Sequence, residues 1–240
     1  AAWSTAPSAP LKRNCMSVMT QATLKQKRKT RSPQSDGEGL LRLDVFGDTS
    51  GACAALARKD AVLARALDAI GEPYIRRRPG GFEALFRIIV EQQVSVQSAQ
   101  AIWGRCLEGM RSMTPAAALR QGEDGLRGFG LSGPKIRYVL ALANDVKSNR
   151  LDFDALAEMS DENAALTLQN ITGIGPWTSA IYLLFCEGRV DIWPPGDVAL
   201  LGAYCAGRKR GPYPAMKQFD EKAQKWAPYR GVAAHILWTY

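Results

Sequence analysis

Apolar residues recur at helical spacing through most of the chain beyond residue 50. The stretch GACAALARKDAVLARALDAI, which stops before Gly71, predicts one amphipathic helix. GFEALFRIIVEQQVSVQSAQAIWGRCLEGM predicts two helices with a break near Gln92–Ser95, and Ser95 suits the N-cap of the second. The same spacing continues in TPAAALRQ, SGPKIRYVLALANDVKSN, FDALAEM, DENAALTLQN, PWTSAIYLLFCEG, DVALLGAYCAG, AMKQFDEKAQKW and RGVAAHILWTY. No segment shows strand alternation between hairpin turns, so the pattern predicts an all-α protein of about ten helices.

Residues 1–40 lack this periodicity and are rich in Ser, Thr, Pro, Lys and Arg. This composition is typical of disordered chain, so we divide the sequence into a disordered basic tail, 1–45, and a helical domain, 46–240. The basic run LKQKRKTR would add non-specific affinity for phosphate, or it belongs to a targeting segment. An over-long start, with Met16 or Met19 as the true beginning, is the alternative.

The net charge of +8 points to nucleic acid at first sight, but its location changes that interpretation. Seven of the 31 basic residues and none of the 23 acidic ones lie in 1–35, which leaves 24 basic against 23 acidic residues in 36–240. A DNA-binding face on the helical domain must therefore be a local patch.

Cysteine and histidine usage narrows the chemistry. The five cysteines are scattered, none forms a CxxC pair, and His235 is the single histidine. We interpret the cysteines as reduced thiols of an intracellular protein, with no zinc site and no iron–sulfur cluster. No apolar run reaches 18 residues, so no membrane span is predicted.

The stretch ITGIGPWTSAIYLL joins two predicted helices through two glycines and a proline. Gly173 and Gly175 permit backbone angles and close approaches that other residues resist, and Pro176 suits a first helical turn. The N-terminus of the next helix carries free N–H groups and a partial positive charge, which can hold a phosphate without a basic side chain. An ordinary turn in a protein unrelated to DNA is the alternative.

The sequence LQNITGIGPWTSA, residues 168–180, resembles the helix-hairpin-helix motif of DNA-binding proteins. The resemblance implies that the main-chain N–H groups of Gly173, Gly175 and Thr178 face one phosphate. It also implies a monovalent cation, Na⁺ or K⁺, held by the main-chain carbonyls of Gln169, Thr172 and Ile174.

Beyond this hairpin, VDIWPPGDVALLGAY places Asp197 at the start of an apolar helix, where N-capping alone would explain it. Hairpin, Pro-Pro-Gly loop and Asp together resemble the signature of the helix-hairpin-helix DNA glycosylase superfamily. In that family this Asp is the catalytic carboxylate. The two roles are compatible, because N–H groups that cap the carboxylate favour its anion. A fixed anion can stabilise positive charge on the deoxyribose and orient or deprotonate water.

The resemblance covers roughly residues 80–240 and is closest to the 3-methyladenine DNA glycosylase II type. It implies two helical lobes with double-stranded DNA in the cleft between them. FEALFRIIVEQQVSVQSAQAIW is similar to a helix pair with a wedge loop, in which Gln93 and Ser95 would contact DNA beside the flipped base. A polar interhelical turn is the alternative. LSGPKIRYVLALA resembles another DNA-facing turn, with Lys135 as a phosphate contact.

Trp177 stands where bifunctional members of the superfamily carry a nucleophilic Lys. Because Trp cannot form a Schiff base, the resemblance implies a monofunctional enzyme without AP lyase activity or a catalytic cofactor. Trp177 and Trp238 would line the base pocket, since aromatic faces attract the cationic rings of N3- or N7-alkylated purines. Core packing is the alternative for both.

These features predict a monomeric DNA N-glycosylase that flips and excises alkylated purines in base excision repair. Two alternatives stay open. One is a glycosylase for another lesion, such as uracil, ethenoadenine or a mismatched base. The other is a non-catalytic helix-hairpin-helix module that binds DNA or a repair partner.

Overall fold

The computed structural model describes residues 49–208 and 211–240, and regular structure within them is helical. The helices are α1 Ser50–Lys59, α2 Ala61–Ile70, α3 Phe82–Glu91, α4 Val96–Met110, α5 Pro115–Gly128, α6 Gly133–Lys147, α7 Phe153–Glu158, α8 Asp161–Gln169, α9 Pro176–Phe185, α10 Val198–Ala206, α11 Met216–Ala223 and α12 Arg230–Thr239, with a 3-10 helix at Gln224–Trp226. The all-α prediction is confirmed. The basic tail lies outside the described residues, so its disorder and the boundary after residue 45 stay predictions.

Two groups of buried side chains divide the molecule into two lobes, which confirms the predicted two-lobe arrangement. Helices α3–α9 enclose the larger core, around residues such as Phe86 and Leu183, and form what we call the central lobe. Helices α1, α2 and α10–α12 enclose the second core, around Trp226, and form the terminal lobe. Trp238 on α12 packs against both cores, so it marks the junction of the lobes.

The single helix predicted up to Ile70 is wrong, because the chain breaks at Asp60. Asp60 has an extended backbone, with φ −146°, and its Oδ1 accepts the Val62 N–H at 2.8 Å to cap α2. Its Oδ2 lies 3.2 Å from Tyr204 Oη and 3.3 Å from Trp226 Nε1. The break places Asp60 in contact with residues that are distant in the sequence. Apolar periodicity reflects only neighbouring residues, so it could not predict this break.

The extended α2–α3 segment, residues 71–81, runs along the junction of the lobes and is bonded to both. On the terminal-lobe side, the N–H of Tyr74 donates to Thr239 Oγ1 at 3.1 Å, and the N–H of Arg76 donates to His235 Nδ1 at 3.4 Å. On the central-lobe side, the N–H of Arg78 donates to the Phe185 carbonyl at 2.9 Å. Hydrogen bonds on both sides of Arg76 therefore hold its backbone in place.

The structure also bears on the predictions about the cysteines and about membrane spans. Cys106, Cys186 and Cys205 are free thiols in the described part of the chain, whereas Cys15 lies outside it. Burial raises the pKa of Cys106 to about 11 and of Cys186 to about 12, so both thiols stay protonated near neutral pH. Among the described helices, none combines the length and the apolar character needed to cross a bilayer.

Candidate active site

A narrow cavity lies at the junction of the two lobes. Its lining residues are Arg76, Ile88, Glu91, Trp177, Ile181, Phe185, Asp197 and Trp238. The central lobe contributes α3 and α9, the terminal lobe contributes Asp197 and Trp238, and the α2–α3 segment contributes Arg76. The structure thus brings together the predicted carboxylate, Asp197, and both predicted aromatic residues. The free volume is about 10 Å³, which corresponds to about one water molecule.

Asp197 is held by hydrogen bonds at both carboxylate oxygens. It is the N-cap of α10, and its Oδ1 accepts the N–H groups of Ala199 and Leu200, each at 2.9 Å. Its Oδ2 accepts Nε1–H of Trp177 at 2.9 Å. These three donors and the helix N-terminus stabilise the anion and fix its orientation toward the cavity.

Trp177 occupies the first turn of α9, directly after the hairpin, and is half-buried. Its bond to Asp197 joins two residues that lie 20 positions apart in the sequence. The sequence predicted an aromatic wall at this position, but it did not predict a hydrogen bond to the carboxylate. The hairpin helix therefore positions the carboxylate of the terminal lobe.

Trp238 is the second tryptophan in the lining of the cavity, and it contacts a residue that was not predicted from the sequence. The guanidinium carbon of Arg76 lies 5.4 Å from the centre of the Trp238 ring, and the edge-on ring of Phe185 lies at 5.4 Å. Burial lowers the pKa of Arg76, while the charges of Tyr74 and Asp197 act in the opposite direction. In the sequence, the run of three arginines before Pro79 was the one indication of a basic pocket residue. The run does not indicate which of the three lines the cavity.

Glu91 is a second pocket residue that the sequence did not identify. It ends α3 and pairs with Arg78 at 3.4 Å and with Arg87 at 3.0 Å. Neither arginine lines the cavity, so the negative charge of Glu91 is neutralised by residues outside it. We therefore assign Glu91 to the wall of the pocket.

The hairpin between α8 and α9 leaves its backbone amides available. Gly173 has φ +87°, and a Cβ there would lie 2.1 Å from the ring of Tyr138, so only glycine fits. Among the described residues, the N–H groups of Gly173, Gly175 and Thr178 donate to no protein acceptor. The arrangement is suited to an anion, which is the role predicted for these three amides.

The predicted carbonyl ligands of a cation lie in the same hairpin. The carbonyls of Gln169, Thr172 and Ile174 accept none of the turn or loop hydrogen bonds of the described residues. The Gly173 carbonyl differs, because it accepts the side-chain amide of Gln92. The three predicted carbonyls therefore have free acceptor capacity that fits a monovalent cation.

The loop between α3 and α4 contains both predicted DNA contacts. Gln93 is exposed and has φ +51°, a left-handed conformation that is uncommon outside glycine. Ser95 is exposed as well, and its Oγ accepts the Ser98 N–H at 3.2 Å as the N-cap of α4. The break predicted here is confirmed, whereas the wedge role of Gln93 stays a prediction.

Gln92, which the sequence analysis did not select, ties this loop to the hairpin. Its Nε2 donates to the Gly173 carbonyl at 3.2 Å and to Thr178 Oγ1 at 3.0 Å. These two bonds fix the position of the loop with Gln93 relative to the hairpin between α8 and α9.

Lys135 is placed differently from the predicted phosphate contact. It is only 8% exposed, and its Nζ donates to the Val90 carbonyl at 2.8 Å. Burial lowers the pKa of its amino group. The predicted phosphate contact of Lys135 is therefore corrected. Its amine donates to a carbonyl near the end of α3 and thereby supports the loop between α3 and α4.

Comparisons with known proteins agree with this geometry. The family model for the "HhH-GPD superfamily base excision DNA repair protein" matches residues 86–228. YfjP of Bacillus subtilis is 24% identical over 165 residues, and the match covers 65% of this chain and 58% of that relative. A solved DNA-3-methyladenine glycosidase from Bacillus halodurans is 31% identical with a TM-score of 0.68, covering 83% of this chain and 91% of that one. The Schizosaccharomyces pombe 3-methyladenine DNA glycosylase Mag1, solved with abasic DNA, shares the fold at 24% identity and a TM-score of 0.71, covering 79% of this chain and 95% of that one. The chain belongs to the HhH-GPD superfamily of base excision DNA repair proteins.

Proposed function

We propose that this protein is a monofunctional DNA N-glycosylase that removes alkylated purines from double-stranded DNA. The observation that carries the proposal is the Asp197 carboxylate, which is held at both oxygens in a cavity lined by two tryptophans. The names of the Bacillus halodurans and Schizosaccharomyces pombe proteins support the same substrate class.

The target base must leave the duplex to reach this cavity, and a damaged base is flipped at lower cost than a normal one. A base that enters would stack against Trp177 or Trp238. An N3- or N7-alkylated purine is cationic, so the aromatic faces attract it and it is already a good leaving group. The reaction therefore needs no general acid at the base.

Breakage of the bond between the base and C1′ transfers the bonding electrons to the base and builds positive charge on the sugar. The fixed anion of Asp197 would stabilise that charge at a distance set by the α10 N-terminus and Trp177. The same carboxylate would orient water for attack at C1′ and accept its proton. The products are the free base and an abasic site.

Among the described residues, the lining of the cavity includes no lysine. Trp177, at the position of the nucleophilic lysine in bifunctional members, donates its indole N–H to Asp197. This supports base release without strand cleavage, since no amine is available there for a Schiff base.

The hairpin amides and the loop with Gln93 form the proposed DNA-binding face. A phosphate would accept the N–H groups of Gly173, Gly175 and Thr178, and Gln93 would enter the gap left by the flipped base. The carbonyls of Gln169, Thr172 and Ile174 would hold Na⁺ or K⁺, whose charge would add to the attraction for phosphate. We further propose that the protein acts as a monomer.

The test is a base-release assay on duplexes that contain 3-methyladenine, 7-methylguanine, ethenoadenine or uracil. We expect release of the methylated purines without strand breaks, and Asp197→Asn should slow it by a factor on the order of 10² to 10³. Unchanged release in Asp197→Asn would show that Asp197 is not the catalytic carboxylate. Release of uracil or ethenoadenine alone would favour the other-lesion alternative, and no release from any duplex would favour the binding module.

A further inference from the structure

The cavity is too small for the base that the proposed function requires. A free volume of about 10 Å³ holds about one water molecule, and a purine is several times larger. Ile88, Ile181 and Phe185 are at most 5% exposed and belong to the central core, so they cannot move far without disrupting packing. Another lining side chain must therefore leave the cavity when a base enters.

Arg76 is the lining side chain that is free to move. Asp197 and Trp177 hold each other through a hydrogen bond, and Glu91 is paired with two arginines. In contrast, Arg76 forms no ion pair within the described residues, and its one side-chain hydrogen bond, to the Trp238 carbonyl, is long at 3.5 Å.

The position of Arg76 matches that of the proposed ligand. Its guanidinium is planar and cationic, lies 5.4 Å from the centre of the Trp238 ring, and is under the influence of the Asp197 charge. An alkylated purine is also planar and cationic, so it would use the same aromatic face and the same carboxylate.

The backbone around Arg76 excludes a moving lid. The N–H of Arg76 is bonded to His235, and its neighbours Tyr74 and Arg78 are bonded to Thr239 and Phe185. Rotation about the side-chain bonds of Arg76 vacates the face of Trp238 without breaking any of these backbone hydrogen bonds.

We propose that Arg76 is an internal occupant of the base pocket, whose guanidinium covers the Trp238 ring in the free protein and rotates away before a base binds. The identity of the incoming base rests on the proposed function, whereas the occupancy does not. Only a fraction of the free molecules then has a pocket that can bind a base. The apparent affinity for every base is therefore lowered by the same factor. From the strength of a cation–π contact, that factor is about 2- to 30-fold.

The first test compares wild type with Arg76→Ala in single-turnover base release from duplexes with 7-methylguanine, which is cationic, and with ethenoadenine, which is neutral. Arg58→Ala is the matched control, because it removes an exposed positive charge from α1. We expect Arg76→Ala to lower the half-saturating concentration for each substrate that is released, by the same 2- to 30-fold, with the maximal rate unchanged. Weaker binding or slower release would show that Arg76 contacts the bound base. A gain confined to 7-methylguanine would show that Arg76 stays in the pocket and repels charge.

The second test does not depend on catalysis. 1-Methylnicotinamide, a small planar cation, is titrated while the indole N–H signal of Trp238 is followed by NMR, with Trp238→Phe used to assign that signal. Arg76→Ala should bind this cation more tightly than wild type, and Arg76→Lys, which keeps the charge without the planar group, should fall between them. Equal binding by all three would overturn the occupancy even if base release is normal. Tighter binding by Arg76→Ala without base release would leave the occupancy standing and the proposed function rejected.

Discussion

Asp60 and Asp197 are two aspartates of the terminal lobe with nearly the same local structure. Each is the N-cap of a helix and receives a tryptophan Nε1–H at Oδ2, while Oδ1 receives one backbone N–H group at Asp60 and two at Asp197. Their exposures are close, at 6% and 9%. Burial and capping therefore do not distinguish the structural carboxylate from the one we propose to be catalytic.

The difference lies in what else surrounds the second oxygen. Oδ2 of Asp60 also accepts a hydrogen bond from the Tyr204 hydroxyl and pairs with Lys222 Nζ at 3.0 Å, so its charge is matched by a half-exposed ammonium group. Among the described residues no lysine or arginine pairs with Asp197, whose carboxylate lines the cavity. A carboxylate without an ion-pair partner can stabilise positive charge that develops in a substrate, whereas the charge of a paired carboxylate is already neutralised.

The largest expected effect comes from exchanging each carboxylate for an amide of the same shape. Asp197→Asn should reduce base release by a factor on the order of 10² to 10³, since the amide lacks the charge that stabilises the transition state. Asp60→Asn should keep base release within about threefold of wild type, because Asp60 does not line the cavity. Single-turnover rates at saturating enzyme measure both. Similar losses in the two variants would remove the distinction between the two sites.

For the free energy of unfolding, we expect the larger effect at Asp60 and the smaller one at Asp197. Asp60→Ala should lower the free energy of unfolding by about 2 to 4 kcal/mol, because it removes a cap and leaves the buried donors of Tyr204 and Trp226 without an acceptor. Asp197→Ala should cost about 1 kcal/mol, the usual value of a lost cap. Urea unfolding with equal m-values provides the comparison. A larger loss for Asp197→Ala would mean that this carboxylate is the main structural one.

Acid should destabilise the protein through His235, which sets the pH range for these measurements. Burial first, and then the charges of Arg76 and Arg77, lower the pKa of His235 to about 3 from 6.5. The unfolded chain takes up this proton first, so the contribution is complete above pH 6.5 and is lost as the pH falls toward 3. The slope is at most about 1.4 kcal/mol per pH unit. His235→Gln should reduce that slope in urea unfolding between pH 6.5 and 4, and an unchanged slope would assign the acid sensitivity to other groups.

The smallest effects are expected from the two indole donors. Trp177→Phe keeps an aromatic wall but removes the bond to Asp197, and should slow base release roughly fivefold, equivalent to about 1 kcal/mol. Trp226→Phe should leave the rate unchanged and lower the free energy of unfolding by about 1 kcal/mol. Rates and urea midpoints for both variants complete the comparison, and a slower Trp226→Phe would show that the two indoles are not functionally separate.

Several local predictions were confirmed because their causes act within a few residues. The break between α3 and α4, the start of α9 at Pro176 and the capping of α10 by Asp197 all follow from N-cap residues, proline geometry and apolar periodicity. Asp60 shows where such reasoning fails. It lies within a run of good helix formers, and its partners Tyr204, Lys222 and Trp226 are more than 140 positions away.

The sequence by itself determined most of the helices, the hairpin turn between α8 and α9, and the capping aspartate before α10. Only the tertiary structure decided which polar side chains share a cavity. It placed Arg76 on Trp238, directed Lys135 inward to Val90, and joined Gln92 to the hairpin. The physical reason is that a helix start is encoded by neighbouring residues, whereas the partner of a charge depends on how distant helices pack. For Asp60 and Asp197, one local motif leads to an ion pair with Lys222 in one place and to a carboxylate without an ion-pair partner in the other.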